Sequence, residues 1–111
     1  MPEGLYEVDF VGRAGDGKGV MVLVDGRLYG TDGGVDYDGT YEALDAGERI
    51  ATSIQCTVNP GTVLVTGVPP QPNPYSFGLA VQFPAKGFAT GKVDTPFGPV
   101  EVSMKYLRGL G

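Results

Sequence analysis

The chain has 111 residues, of which 41% are hydrophobic and 19% charged, with a net charge of −5. Its 19 glycines and 9 prolines exclude a helical bundle, because an interior Gly costs roughly 1 kcal/mol and an interior Pro roughly 3 kcal/mol relative to Ala. The chain has no His and a single cysteine, Cys56, which excludes an internal disulfide, a zinc cluster or an iron–sulfur site and removes the commonest general base. Length and composition together predict one folded domain spanning residues 1–111 rather than a disordered chain.

Taken in chain order, alternation with a period of two recurs between turn signals, the pattern of half-buried antiparallel strands. From Leu5 to Val11, Tyr6, Val8 and Phe10 face one way and Glu7 and Asp9 the other. The glycine-rich stretch Gly12 to Gly19 reads as a turn into Val20–Val24, and Asp25-Gly26 is a two-residue hairpin signal leading to a strand from Arg27 to about Thr31. After Gly33-Gly34, Val35, Tyr37, Gly39 and Tyr41 face inward while Asp36, Asp38, Thr40 and Glu42 face outward.

Asp45-Ala46-Gly47 makes the next turn, and Ile50, Thr52, Ile54, Cys56 and Val58 then line one side of a long strand that Thr62–Thr66 could extend or bend. The proline run from Pro69 to Pro74 cannot join a ladder and reads as a loop or barrel-mouth flap. Phe77, Leu79, Val81 and Phe83 resume the inward pattern, Lys86-Gly87 turns into a strand of Phe88–Val93, and Val100, Val102, Met104 and Tyr106 form the last inward row. About eight short strands without a helix predict an all-β, antiparallel up-and-down barrel, a closure that hides sheet edges.

Charge is distributed unevenly. Residues 1–48 hold eleven acidic and three basic side chains, a net of −8, whereas residues 49–111 hold two acidic and five basic, a net of +3. Nucleic-acid binding needs a basic stripe that the first half lacks, so a protein partner with a basic surface is expected instead. The first residues carry no basic stretch followed by an apolar one, and no segment has the length of a membrane span, so a cytoplasmic protein without a membrane partner is expected.

Three motifs approach known chemistry and fall short. Gly12-Arg13-Ala14-Gly15-Asp16-Gly17-Lys18-Gly19 resembles a phosphate-binding loop, but Gly19 stands where a magnesium-binding hydroxyl is needed and a strand follows instead of a helix. Asp36, Asp38 and Gly39 have the mutual spacing of a calcium loop, but Asp45 stands at the position of its bidentate Glu, and strand alternation places both earlier acids in solvent. Cys56 sits on an inward row with no His to activate it and reads as a core residue. The inward aromatics Tyr6, Phe10, Tyr37, Tyr41, Phe77, Phe83 and Tyr106 read first as core packing and, alternatively, as the lining of a ligand cavity with phenols as polar anchors.

The opening Gly4-Leu5-Tyr6 strand, the Gly19 strand ending in Asp25-Gly26, the stretch Gly30 to Gly34 and Tyr37-x-Gly39, in that order, resemble the GrlR-like family of small negative regulators of type III secretion. The resemblance implies a lipocalin-like eight-stranded barrel that forms a homodimer and represses by binding a helix-turn-helix transcriptional activator. Family members carry an acidic run in the turn after the Tyr-x-Gly strand. In this chain Glu42, Asp45 and Glu48 remain there, but the run is not contiguous.

The sequence thus predicts a non-enzymatic regulatory protein without cofactor or metal. Its partner-binding surface is expected at Asp36, Asp38, Glu42, Asp45 and Glu48. A carrier of a small apolar ligand in the barrel interior is the alternative.

Overall fold

A computed structural model describes residues 3–84 and 88–110, and within them the chain forms eight strands. These are β1 (Gly4–Gly12), β2 (Gly15–Val24), β3 (Arg27–Thr31), β4 (Val35–Leu44), β5 (Arg49–Val58), β6 (Tyr75–Pro84), β7 (Phe88–Thr95) and β8 (Gly98–Arg108). Every ladder is antiparallel, and the order β6-β5-β4-β3-β2-β1-β8-β7 brings the last strands back beside the first. β6 and β7 lie side by side without sharing a ladder, so the sheet curls into a nearly closed barrel with one seam. Among the described residues there is no α-helix, only a 3-10 turn over Asp45–Gly47. The expected all-β barrel is the fold observed.

Alternation fixes the faces as the sequence suggests. Tyr6 and Val8 on β1, Ile50, Ile54 and Cys56 on β5, and Val100, Val102 and Met104 on β8 are buried, while their immediate neighbours on β5 and β8 are mostly exposed. The hairpin at Asp25-Gly26 has positive φ at both positions (49° and 75°), as a type I′ turn requires. On β4, Gly39 faces inward where the neighbouring strand comes so close that a Cβ would lie 2.1 Å from the Ser53 carbonyl oxygen.

Three boundaries differ from expectation. Gly12–Gly19 is not a turn: β1 runs through Gly12, β2 begins at Gly15, and the two residues pair directly, leaving only Arg13 and Ala14 to reverse the chain. Without a Cβ, these glycines put no obstacle in the way of the ladder, whose hydrogen bonds satisfy their backbone. Thr62–Thr66 does not extend β5. Pro60 has no N–H to give a ladder and Gly61 takes φ +82°, so the chain leaves the sheet at Val58 and crosses the barrel end as a loop over 59–74. β7 continues past Val93 to Thr95, and the expected Lys86-Gly87 turn lies outside the described residues.

The interior is filled unequally along its length. One end, here the packed end, holds Tyr6, Leu23, Leu28 and Met104, all essentially inaccessible to solvent. Full burial of such a side chain contributes about 1.5–3 kcal/mol. Tyr6 meets Tyr106 edge to face at 5.5 Å between ring centroids. Towards the other end, the inward row of β2 changes from Leu23 and Met21 to Gly19 and Gly17, and that of β3 from Leu28 to Gly30.

Candidate functional site: a capped cavity in the barrel

Of these glycines Gly17 borders open space, the nearest atom to a Cβ there being Val65 Cγ1 at 3.7 Å, whereas at Gly19 and Gly30 a Cβ would lie 2.7 and 2.5 Å from the Thr31 and Val20 carbonyl oxygens. A cavity of about 270 Å³ occupies this end, bounded at the side by Phe10, Tyr37, Cys56 and Phe77 and at the top by Leu64 and Val65. Phe10 and Tyr37 pack against each other on its wall with ring centroids 5.8 Å apart. The seam between β6 and β7 is sealed beside it by Phe97, which packs edge to face on Phe77 at 5.2 Å and on Tyr75 at 6.1 Å.

The loop over 59–74 caps the cavity and is tied down at both sides. Ala14 N–H donates to the Val65 carbonyl at 2.8 Å, and Arg13 Nε donates to the Thr66 carbonyl at 2.9 Å, which docks the loop on the β1–β2 hairpin. Gly12 permits this contact, because a Cβ there would lie 2.3 Å from the Val65 oxygen. On the opposite rim, Asn59 N–H and the Thr62 hydroxyl both donate to the Gly34 carbonyl, at 2.8 and 3.2 Å. Leu64 and Val65 turn inward against the core, whereas Pro69, Pro70, Pro72 and Pro74 are exposed, so the closing part of the flap precedes the proline run.

Asp32 brings a carboxylate into this largely apolar wall. Its Oδ1 accepts from the N–H groups of Gly34 (2.9 Å) and Val35 (2.6 Å), folding the β3–β4 connection as an Asx turn, and its Oδ2 accepts from the Tyr37 hydroxyl at 2.9 Å. Burial, then the nearby Asp32 charge and hydrogen bond, raise the Tyr37 phenol well above its ordinary pKa. Burial, with a further push from Asp32, raises the Cys56 thiol to about 12. Cys56 is therefore a neutral thiol and a poor nucleophile at neutral pH. Thr66, also on the cavity wall and 4% exposed, has a buried hydroxyl with no hydrogen-bond partner among the described residues.

The seven aromatic candidates separate by height in the barrel. Phe10, Tyr37 and Phe77 line the cavity. Tyr6 and Phe83 are buried and Tyr41 and Tyr106 half-buried in the core outside it. Periodicity missed Asp32, which stands in a turn, and Thr62–Thr66, which close the top. It also read Cys56 as core alone. The cavity itself had one signal, the inward-facing Gly17 on β2.

The acidic candidates are all exposed. Asp36 and Asp38 face outward on β4, where the Thr31 hydroxyl donates to Asp36 at 2.9 Å and Arg27 lies 3.3 Å from Asp38. Glu42, Asp45 and Glu48 continue along the strand and its turn, with no ion pair among the described residues. Elsewhere on the outer wall, Lys18 spans Glu7 and Asp9 at 3.4 and 3.3 Å. Among the described residues, no group of three or more metal-ligating side chains converges, and the glycine-rich segment that resembled a phosphate loop is a β-hairpin. No helix of the described residues is long and apolar enough to cross a membrane.

No known family model matches this chain, and no curated protein matches it either.

Proposed function

We propose that the protein binds a small apolar molecule inside the barrel. The carrying observation is the capped cavity of about 270 Å³, walled by Phe10, Tyr37, Phe77 and Leu64 on three separate strands and a loop. Sites for small ligands are typically concave, mostly apolar and supplied with a few placed polar groups, and Asp32, Tyr37 and Thr66 provide such groups here. The reading is non-enzymatic: burial holds the thiol of Cys56 neutral, and the exposed acids of β4 and its turn face solvent away from the cavity. Native mass spectrometry of protein isolated from its own source should show a bound small species, and Leu79→Trp, which fills the cavity, should abolish it. Empty protein together with calorimetric silence towards 1-octanol would refute this function.

The acidic edge of β4 favours a second reading, a regulator that captures a basic partner. Asp36, Asp38, Glu42, Asp45 and Glu48 form an exposed strip suited to a basic DNA-binding helix, such as that of the helix-turn-helix activators implied by the GrlR resemblance. Steering of this kind weakens with salt, so binding to such an activator should fall between 50 and 300 mM salt, about the range over which the Debye length shrinks most usefully. Reversing the charges of Asp36, Asp38, Asp45 and Glu48 should abolish it, and unchanged binding would eliminate this reading.

A further inference from the structure

The chemistry of the cavity wall narrows what the barrel can hold, given the small-molecule reading above. An engineered apolar cavity of about 150 Å³ accommodates benzene, so about 270 Å³ suits a molecule of about ten non-hydrogen atoms. The apolar part has an obvious place among Phe10, Tyr37, Phe77 and Leu79. The head group faces a more selective environment. Of the three charged residues on the wall, Lys18 sends its ammonium outward to Glu7 and Asp9, and Asp16 is exposed on the same strand. Asp32 is the carboxylate turned to the interior, as its bond to the inward-facing Tyr37 hydroxyl fixes. No cation answers it among the described residues.

An anionic head would therefore meet a like charge inside the cavity, where repulsion is screened less than in bulk water. A donor head would meet an acceptor with one lone pair to spare on Oδ2, since a carboxylate offers about four acceptor sites and three are used. Thr66 adds an independent observation. The residue is 4% exposed, its hydroxyl lacks a partner among the described residues, and it borders the cavity from the loop, so it can both give and take a hydrogen bond from a polar guest.

We propose that the cavity takes a non-anionic amphiphile of about ten non-hydrogen atoms, an alkyl or aryl body bearing a hydrogen-bond-donating amine or alcohol head. The body lies against Phe10, Tyr37 and Phe77, and the head lies at Asp32 beneath the 59–74 loop. Fatty-acid anions of the same length are rejected by Asp32.

The test is calorimetric titration of the whole chain with octylamine, 1-octanol and octanoate at neutral pH. The amine and the alcohol should bind at one site, with octanoate at least tenfold weaker. Asp32→Asn keeps the oxygen that accepts from Gly34 and Val35, so the turn survives, and it should bring octylamine and octanoate to within about threefold of each other. Tyr37→Phe frees an Asp32 lone pair and should preserve the preference for the amine, which gives an independent check if the Asn variant folds poorly. Octanoate binding as tightly as octylamine to the parent protein would overturn the head-group assignment while leaving the ligand-binding reading in place. Failure of all three ligands to bind would remove both.

Discussion

The two ends of the barrel are built from the same strands and serve different purposes. At the packed end, Leu23, Leu28, Met104 and Tyr6 leave no accessible surface, and Gly39 lets two strands approach to a distance that no side chain permits. At the other end, Gly17 on the inward row of β2 leaves open space, and that space is roofed by a loop instead of filled. Glycine thus acts in opposite ways along one barrel, drawing backbones together at Gly39 and keeping a cavity open at Gly17. The packed end supplies stability that the open end can do without.

Substitutions should separate the two ends clearly. Leu23→Ala, in the packed end, should cost about 3 kcal/mol in urea denaturation, whereas Leu79→Ala, beside existing empty space, should cost about 1 kcal/mol. Equal losses would mean that the ends do not differ in packing. The glycines offer a sharper contrast. Gly39→Ala should destabilise by about 2 kcal/mol because its Cβ meets the Ser53 backbone, while Gly17→Val should stay within about 1 kcal/mol of the parent. The nearest atom to a Cβ at Gly17 is Val65 Cγ1 at 3.7 Å, an ordinary contact, so that substitution should occupy the cavity and weaken binding of 1-octanol without unfolding the chain.

Both ends respond to alkali in the same direction. Tyr6 in the packed end is pushed up to about 12, chiefly by burial and then by Tyr106 and Tyr41, and Cys56 at the cavity is also pushed up to about 12. These groups ionise earlier in the unfolded chain, which therefore binds fewer protons than the folded one above about pH 9. Their contribution is intact below that pH and is lost as the pH rises towards 12, so the midpoint of chemical denaturation should fall across this window. Cys56→Ala should remove the earliest part of the fall, as followed by circular dichroism. An unchanged slope in that variant would show that the thiol is not protected.

A small effect of the opposite sign is expected at the roof. Thr66→Val replaces a buried hydroxyl, unpartnered among the described residues, with a methyl group of similar size, and should stabilise the ligand-free protein by about 1 kcal/mol, measurable as a raised Tm. A loss of stability there would mean that the hydroxyl is satisfied in solution.

The sequence made the faces of the strands legible, because inward and outward positions alternate and nothing else about the chain needs to be known. Height along the barrel is a different quantity. It depends on register between strands, and that is why Tyr6, Tyr41, Phe83 and Tyr106 could not be told from Phe10, Tyr37 and Phe77 by periodicity. Gly17, which borders the cavity, was visible, but Gly12–Gly19 has the composition of a turn, and only the ladder with β1 reveals it as strand. Asp32 was hidden for a similar reason: an aspartate among glycines looks like any turn former until its second oxygen is found on Tyr37. The uneven charge was legible as well, and the acids are exposed as expected, although Arg27 beside Asp38 interrupts the strip.

The contrast between the ends is tested most directly by mapping amide chemical shifts while 1-octanol is added to isotope-labelled protein. A capped cavity predicts saturable shifts at Phe10, Tyr37, Cys56, Leu64 and Phe77, with Leu23, Leu28 and Met104 unmoved. Shifts that never saturate, or that gather at the packed end, would contradict the account.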